Sequence, residues 1–341
     1  MYGLGENKLL AIKGRKRQVY LLSLLFISLF IGFLLLKPRE TILYSFMPDG
    51  DWRKHHGFVF YEAEISHPLQ LSKIASYSSS EMPGRDMSLW QEKNGTIWAA
   101  VTYQNSSTSG EVRLYSGDSV NELQAIDINL GITKLAKSLG REVKSVWAPE
   151  FFQDTDGSIY LLTTVNDQGT MVDRNKDTIA KHSIYLSKMN MEGPSALSTE
   201  IVNLSLEKNY IDPHLYKKDG VYHLFLKDEY SKTLDYFQSR NLKDWTLVIE
   251  DFISSKIGRE MVYTEGQFII EVNGQVYFFF DKYGEAGVYP KGQYVIISND
   301  FTSFSLPHPV STIEKEILRH GSGIIYRHKS LIEKLLSTQF R

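Results

Sequence analysis

Four dipeptides, Asn94-Gly95, Asp156-Gly157, Asp219-Gly220 and Asn273-Gly274, each join two runs rich in apolar, β-branched and aromatic residues. Such pairs supply the positive φ angles that a two-residue hairpin needs, so four strand-turn-strand units are expected. The sequence around them repeats: RDMSLWQEKNGTIWAAV from Arg85, PEFFQDTDGSIYLLTTV from Pro149, IDPHLYKKDGVYHLFLK from Ile211 and TEGQFIIEVNGQVYFFF from Thr264. Each unit opens on a polar head residue. With a fifth, the heads are Asp86, Glu150, Asp212, Glu265 and His320, spaced 64, 62, 53 and 55 residues apart. A period of this size with several short strands per unit marks a blade architecture, and five repeats predict an all-β, five-bladed β-propeller.

Only 21 residues follow His320, too few for a four-stranded blade. The apolar segments 57–65 and 69–77 have no repeat of their own and are expected to complete the last blade. Joining both ends of the chain in this way closes the ring and protects strand edges. The segments SRNLKDW (239–245) and SNDFTSF (298–304) read as outer blade strands, and the insertion at 120–145 as a short helix or a loop.

Val19–Leu36 is the one membrane-length apolar run, 18 uncharged positions that at about 1.5 Å per residue nearly cross a hydrocarbon core of about 30 Å. Residues 1–17 read as a basic cytoplasmic tail, 18–36 as a transmembrane signal anchor, 37–56 as a stem and 57–341 as the propeller. The positive-inside bias of Lys8, Lys13, Arg15, Lys16 and Arg17 puts everything after Lys37 outside the cell membrane. A cleavable signal peptide is the competing reading, but Lys37-Pro38-Arg39-Glu40 lacks a small-residue cleavage pattern.

Absence of cysteine excludes disulfides, thiolate metal sites and cysteine nucleophiles, and in an exported domain it suits a bacterial surface protein. Positions 40–341 carry 31 Lys/Arg against 39 Asp/Glu, a net of −8, with no basic stripe for nucleic acid. His55 and His56 belong to the stem.

In a propeller the innermost strand of each blade lines one axis, so equivalent heads converge. Asp86, Asp212 and Glu265 then share a pocket, and clustered carboxylates suit glycoside hydrolysis, which needs one to activate water and one to protonate the leaving group. The stretches Arg85-Asp86, Val146-Trp147-Ala148-Pro149-Glu150, Ile211-Asp212-Pro213-His214, Thr264-Glu265-Gly266 and Arg319-His320-Gly321-Ser322 resemble, in order and spacing, the five blade-head motifs of glycoside hydrolase family 43. The resemblance spans about residues 57–330.

It implies Asp86 as general base, Asp212 as the carboxylate that tunes and orients the acid, and Glu265 as general acid of an inverting reaction, in which base and acid stand roughly 6.5–9.5 Å apart. It further implies Trp147 as a sugar-binding wall and His320 as a channel residue at the substrate; Glu150 and His214 are candidate substrate contacts, with a structural role as the alternative for each. No cofactor is required; the resemblance admits a structural calcium in the channel, reached by His320 through water. The expected partner is an oligo- or polysaccharide bearing arabinofuranosyl or xylosyl linkages. Met87 and Gln267 stand where many relatives have proline, which leaves room for a carbohydrate-binding propeller that does not cleave, and a transferase or accessory role in exopolysaccharide synthesis is a third reading.

Overall fold

The computed structural model describes residues 38–48, 57–103, 111–173, 175–204, 208–284, 287–312 and 316–330, with Phe26 and Glu333 as single positions. The chain divides into two units. The smaller comprises 1–40 and 327–341; within it the His328 N–H donates to the Arg39 carbonyl at 2.8 Å. The larger, Thr41–Tyr326, is the propeller.

It contains five antiparallel sheets of four strands each. Blade one holds β4 (Arg85–Gln91), β5 (Ile97–Tyr103), β6 (Glu111–Gly117) and β7 (Gln124–Ile126); blade two holds β8 (Ser145–Gln153), β9 (Ile159–Val172), β10 (Thr178–Asn190) and β11 (Ser195–Ile201). Blade three holds β12 (Tyr210–Lys218), β13 (Val221–Asp228), β14 (Thr233–Ser239) and β15 (Thr246–Ile249); blade four holds β16 (Thr264–Val272), β17 (Gln275–Lys282), β18 (Gly292–Ser298) and β19 (His308–Pro309). The fifth blade is composite: β20 (Leu318–Arg327) pairs with β1 (Glu40–Pro48), followed by β2 (Phe58–Glu64) and β3 (Ser72–Tyr77).

Both chain ends therefore meet in one blade, as the unpaired segments 57–65 and 69–77 imply. The stem boundary is corrected, because 40–48 is a strand of that blade. Ile42, Leu43, Tyr44 and Phe46 are fully buried, on both faces of the strand, because a blade is covered by a neighbour on each side. Burial of such side chains is worth about 1.5–3 kcal/mol each. The anchor at 18–36 lies, apart from Phe26, outside the described residues, as do His55 and His56. No helix among the described residues is long and apolar enough to cross a membrane.

Five hydrophobic clusters correspond to the five blade interfaces. Tyr44 and Phe46 meet Phe268 and Phe279 between blades five and four, while Leu43 and Phe60 meet Met87 and Leu89 between five and one. Trp98 meets Phe151, Phe152 meets Leu215, and Phe225 meets Phe278 across the other three.

The glycine turns split into two kinds. Lys218 pairs with Val221 and Val272 with Gln275, leaving two-residue loops in which Asp219, Gly220, Asn273 and Gly274 all take positive φ. Gln91 instead pairs with Ile97 and Gln153 with Ile159, so these loops have five residues; the Asn94 and Asp156 carboxamide and carboxylate accept the N–H of Thr96 and Ser158. SRNLKDW and SNDFTSF prove to be turns into the fourth strands, built on Asn241 and Asp300 side chains that accept successive backbone N–H groups. The insertion supplies strand β7 and a short helix α1 (Ile132–Ser138), which buries Ile132 and Ala136.

Candidate active site

The first strand of each of blades one to four carries a bulge near its start, where two residues oppose one on the second strand. The bulges take up Asp86 and Met87, Ala148 and Pro149, Asp212 and Pro213, and Gly266 and Gln267. The first residue of each takes positive φ: Asp86 at 54°, Ala148 at 45°, Asp212 at 50° and Gly266 at 56°, with His320 at 39° in the fifth blade. A bulge of this kind bends the strand and re-aims its side chains. The axial heads are thus Asp86, Ala148, Asp212, Gly266 and His320. Glu150 stands two residues past its head and Glu265 one before, a correction to the alignment read from sequence.

This register sorts the side chains into levels. At the head level His320 is central: its Nε2 lies 3.6 Å from Asp86 Oδ1 and 3.9 Å from Asp212 Oδ2, and its Nδ1 lies 3.9 Å from Glu265 Oε1 and 4.0 Å from Asp281 Oδ2. Alanine and glycine in blades two and four leave room for that ring. The structure brings Asp86, Asp212, Glu265 and His320 together.

Two residues farther on, side chains tie neighbouring blades. Ser88 Oγ accepts the Phe151 N–H at 2.9 Å, Ser322 Oγ accepts the Leu89 N–H at 3.0 Å, and His214 Nε2 accepts the Ile269 N–H at 3.1 Å. An imidazole that accepts at Nε2 carries its proton on Nδ1, and there His214 donates to Glu150 Oε1 at 2.6 Å. Glu150 and His214 therefore hold three blades together, and Glu150 also lines the small cavity beside Asp86 and Asp212.

Asp86 accepts from Thr102 Oγ1 at 3.0 Å and lies 3.3 Å from Arg85 Nε. The Arg85 guanidinium stands 5.2 Å from the Trp147 ring centre, and the His182 ring packs on the same indole at 5.1 Å. Trp147 thus packs against Arg85, the neighbour of the base candidate, and His182.

Three groups not expected from sequence complete the site. Lys227 Nζ donates to Glu265 Oε2 at 2.5 Å, and Arg319 Nη2 donates to Glu265 Oε1 at 2.9 Å. Arg319 Nε also donates to the fully buried Asp281, whose same Oδ2 accepts the His320 N–H at 2.9 Å. The signal that would have found them is position: Lys227 and Asp281, like Thr102 and Thr164, pair on the second strand with the residue before the head.

The electrostatics separate the carboxylates. Burial disfavours the Asp212 anion and, with Glu265 and Asp86 nearby, outweighs His320 and Lys227, pushing its carboxyl up to about 7. Burial acts on Glu265 in the same sense but is overcome by Lys227, His320 and Arg319, which hold it down at about 2. Desolvation would lower the His320 pKa, yet Asp86, Asp212, Glu265 and Asp281 raise it above the usual imidazole value. Without substrate, Glu265 is the anion and Asp212 the carboxyl that retains a proton near neutrality.

The described residues contain one cluster of metal-ligand type, Glu265, Asp281 and His320, with ligand atoms within 4.8 Å of one another. Both carboxylate oxygens that face His320 there already accept from Arg319. A divalent ion would face that guanidinium at contact distance, so the set does not fit calcium. Below the heads, a cavity of about 20 Å³ lined by Asp86, Glu150, Asp212 and His320 has room for about one water rather than a hydrated ion.

A sequence profile of a family described as a probable glycosyl hydrolase domain, related to glycoside hydrolase family 43, matches residues 86–326. No protein with a curated description matches in sequence. Among solved structures, an α-L-arabinofuranosidase from Clostridium thermocellum aligns at TM-score 0.53 and 12% identity over 80% of this chain and 93% of that one. An endo-1,4-β-xylanase from Bacteroides thetaiotaomicron aligns at 0.52 and 15% identity over 77% and 90%. An exo-β-1,3-galactanase from Phanerochaete chrysosporium aligns at 0.46 and 11% identity over 68% of this chain; the chain spans 51% of its length.

Proposed function

Because the chain belongs to the family 43-related group of probable glycosyl hydrolase domains, we propose that it hydrolyses O-glycosidic bonds of pentose-bearing glycans, arabinofuranosyl or xylosyl, with inversion at the anomeric carbon. Asp86 is the general base, Glu265 the general acid and Asp212 the carboxyl that tunes it. The observation that carries this reading is the convergence of three carboxylates from blades one, three and four on His320.

In this assignment Asp86 takes a proton from the attacking water while Thr102 holds its other oxygen. Glu265 starts as an anion and acts as acid only after gaining a proton; Asp212 is the carboxyl of the site that keeps one near neutral pH. His320 spaces the carboxylates and offsets their mutual repulsion. The chain is placed at the cell membrane by residues 18–36, with the propeller outside a bacterial cell and surface polysaccharide as its substrate.

The test compares wild type, Asp86→Asn and Glu265→Gln on aryl pentosides and defined oligosaccharides, with the anomer of the first product followed by NMR. Equal turnover by all three sinks the assigned roles, and a product of retained configuration sinks inversion. One observation favours a second reading, a propeller that binds glycan without cleaving it: both oxygens of Glu265 are occupied by cations. Oligosaccharide binding that survives both substitutions, with no product from wild type, is its signature.

A further inference from the structure

A rule holds in blades one, two and four and is broken in blade three. The second-strand residue that pairs with the position before the head reaches across to the next blade and accepts the N–H of its head. Thr102 Oγ1 accepts from Ala148 at 2.8 Å, Thr164 Oγ1 from Asp212 at 3.1 Å and Asp281 Oδ2 from His320 at 2.9 Å. Blade three carries Lys227 at this position, paired with Ile211, and an ammonium cannot accept a hydrogen bond. Ring closure alone is served by threonine, as two other blades show. The lysine instead crosses to Glu265, with only 5% of its surface exposed.

A buried ammonium is costly unless paired, and pairs left incomplete cost more than no pair at all. Lys227 is paired on both sides. Its Nζ lies 2.8 Å from Glu229 Oε1; Glu229 Oε2 lies 3.1 Å from Lys232 Nζ; and Lys232 lies 3.2 Å from Asp173 Oδ2 at the tip of the β9–β10 hairpin. Beyond Glu265 the alternation continues through Arg319 to Asp281. Seven charges of alternating sign thus run from the blade-two hairpin to the axis, with Glu265 between two cations. Asp212 of blade three and His320 of blade five face Glu265, and the Tyr283 ring lies 4.5 Å from the Lys227 ammonium.

We propose that Lys227 is a positioning residue for Glu265, and that the line Glu229, Lys232 and Asp173 holds Lys227 in turn. This rests on the glycosidase reading. Glu265 does not sit at a head and so is not aimed by a bulge; it precedes Gly266, and the two cations set where its carboxyl points. A displaced acid still binds substrate but delivers its proton poorly, and the loss grows as the leaving group becomes a worse one.

The experiment uses the purified full chain, with Lys227→Thr, Lys227→Arg, Asp173→Asn and the double variant Lys227→Thr/Asp173→Asn. Threonine reproduces the arrangement of blades one and two, so the fold has a precedent for it, and thermal unfolding verifies that each variant is folded. Rates are measured on aryl pentosides from 2,4-dinitrophenyl to 4-methoxyphenyl leaving groups. General acid assistance is worth roughly 10²–10⁴-fold where the leaving group needs it. Lys227→Thr is therefore expected to lose about 100-fold in kcat on 4-methoxyphenyl substrates with KM little changed, and only about 3-fold on dinitrophenyl ones.

Lys227→Arg restores part of the loss. Asp173→Asn shows the same leaving-group pattern at smaller size, and the double variant is no worse than Lys227→Thr because both act through one line. A loss equal across all leaving groups, or no loss, overturns the proposal while the glycosidase reading stands. Additive losses in the double variant overturn the role of the line. Absence of hydrolysis by wild type on every substrate overturns the glycosidase reading and this proposal with it.

Discussion

The Cβ that Gly266 lacks would stand 2.9 Å from Cγ of His320, and the Gly266 backbone holds φ at +56°. Two demands thus coincide at one residue: a left-handed backbone at the blade-four head and an empty volume that the imidazole fills. Gly266→Ala is expected to cost about 1–3 kcal/mol of folding stability through backbone strain alone. It also pushes the ring off the axis, so hydrolysis falls with it. Urea unfolding of the variant verifies the first part; stability equal to wild type contradicts it.

Asp86, Asp212 and His320 are legible in the sequence because equal register on a propeller appears as an even period. Glu265 keeps the same beat yet stands off the head level for a physical reason: the blade-one glycine loop has five residues and the blade-four loop two, so alignment on the glycines slides one first strand against the other. Glu150 stands off it because the blade-two head is Ala148, and the period attaches to the nearest acidic residue. Segments 57–65 and 69–77 were recognisable as orphans needing a blade. The strand 40–48 was not, because no glycine hairpin of the repeating kind joins it to β2 and its other partner, β20, lies at the far end of the sequence. Lys227 and Asp281 share a register position opposite the residue before the head, which shows only once the bulges fix the register, and Arg319 acquires meaning only through its contacts with blade four.

Opposite pKa shifts give the site a signed pH dependence. The Asp212 carboxyl is raised to about 7, so the folded protein binds its proton more tightly than the unfolded chain, and the contribution, complete below about pH 4, is lost as pH rises to about 7. The Glu265 carboxyl is lowered to about 2, so its contribution is present above about pH 4.3 and is lost as pH falls toward 2. In urea unfolding series, Asp212→Asn is expected to gain stability relative to wild type as pH rises from about 4 to 7, with the gain level above that. A gap independent of pH across this window would refute the assignment.

Glu150, His214 and the Ile269 backbone form one path across blades two, three and four. His214→Ala leaves the Ile269 N–H and the Glu150 carboxylate without their partner, and a buried group so stranded costs about 1–3 kcal/mol. Glu150→Gln retains an acceptor for Nδ1–H and costs less. Both variants should lose stability with KM nearly unchanged on substrates that wild type hydrolyses. A KM raised several-fold by Glu150→Gln, with stability intact, would return Glu150 to the substrate.

Gln267 fills the second bulge position of blade four, where blades two and three carry Pro149 and Pro213. Its backbone course therefore accepts proline, and the glutamine must contribute through its side chain. The carboxamide Nε2 donates to the carbonyls of Asp212 and Phe225, which ties the blade-four bulge to the blade that carries Asp212. Gln267→Pro is expected to lose about 1–3 kcal/mol, because two buried carbonyls lose a donor while nothing in the bulge is relieved. Gln267→Glu should be worse than proline, since it sets a buried carboxylate against two carbonyl oxygens. The order wild type, proline, glutamate in urea midpoint tests this; a proline variant as stable as wild type would mean that the two hydrogen bonds contribute nothing.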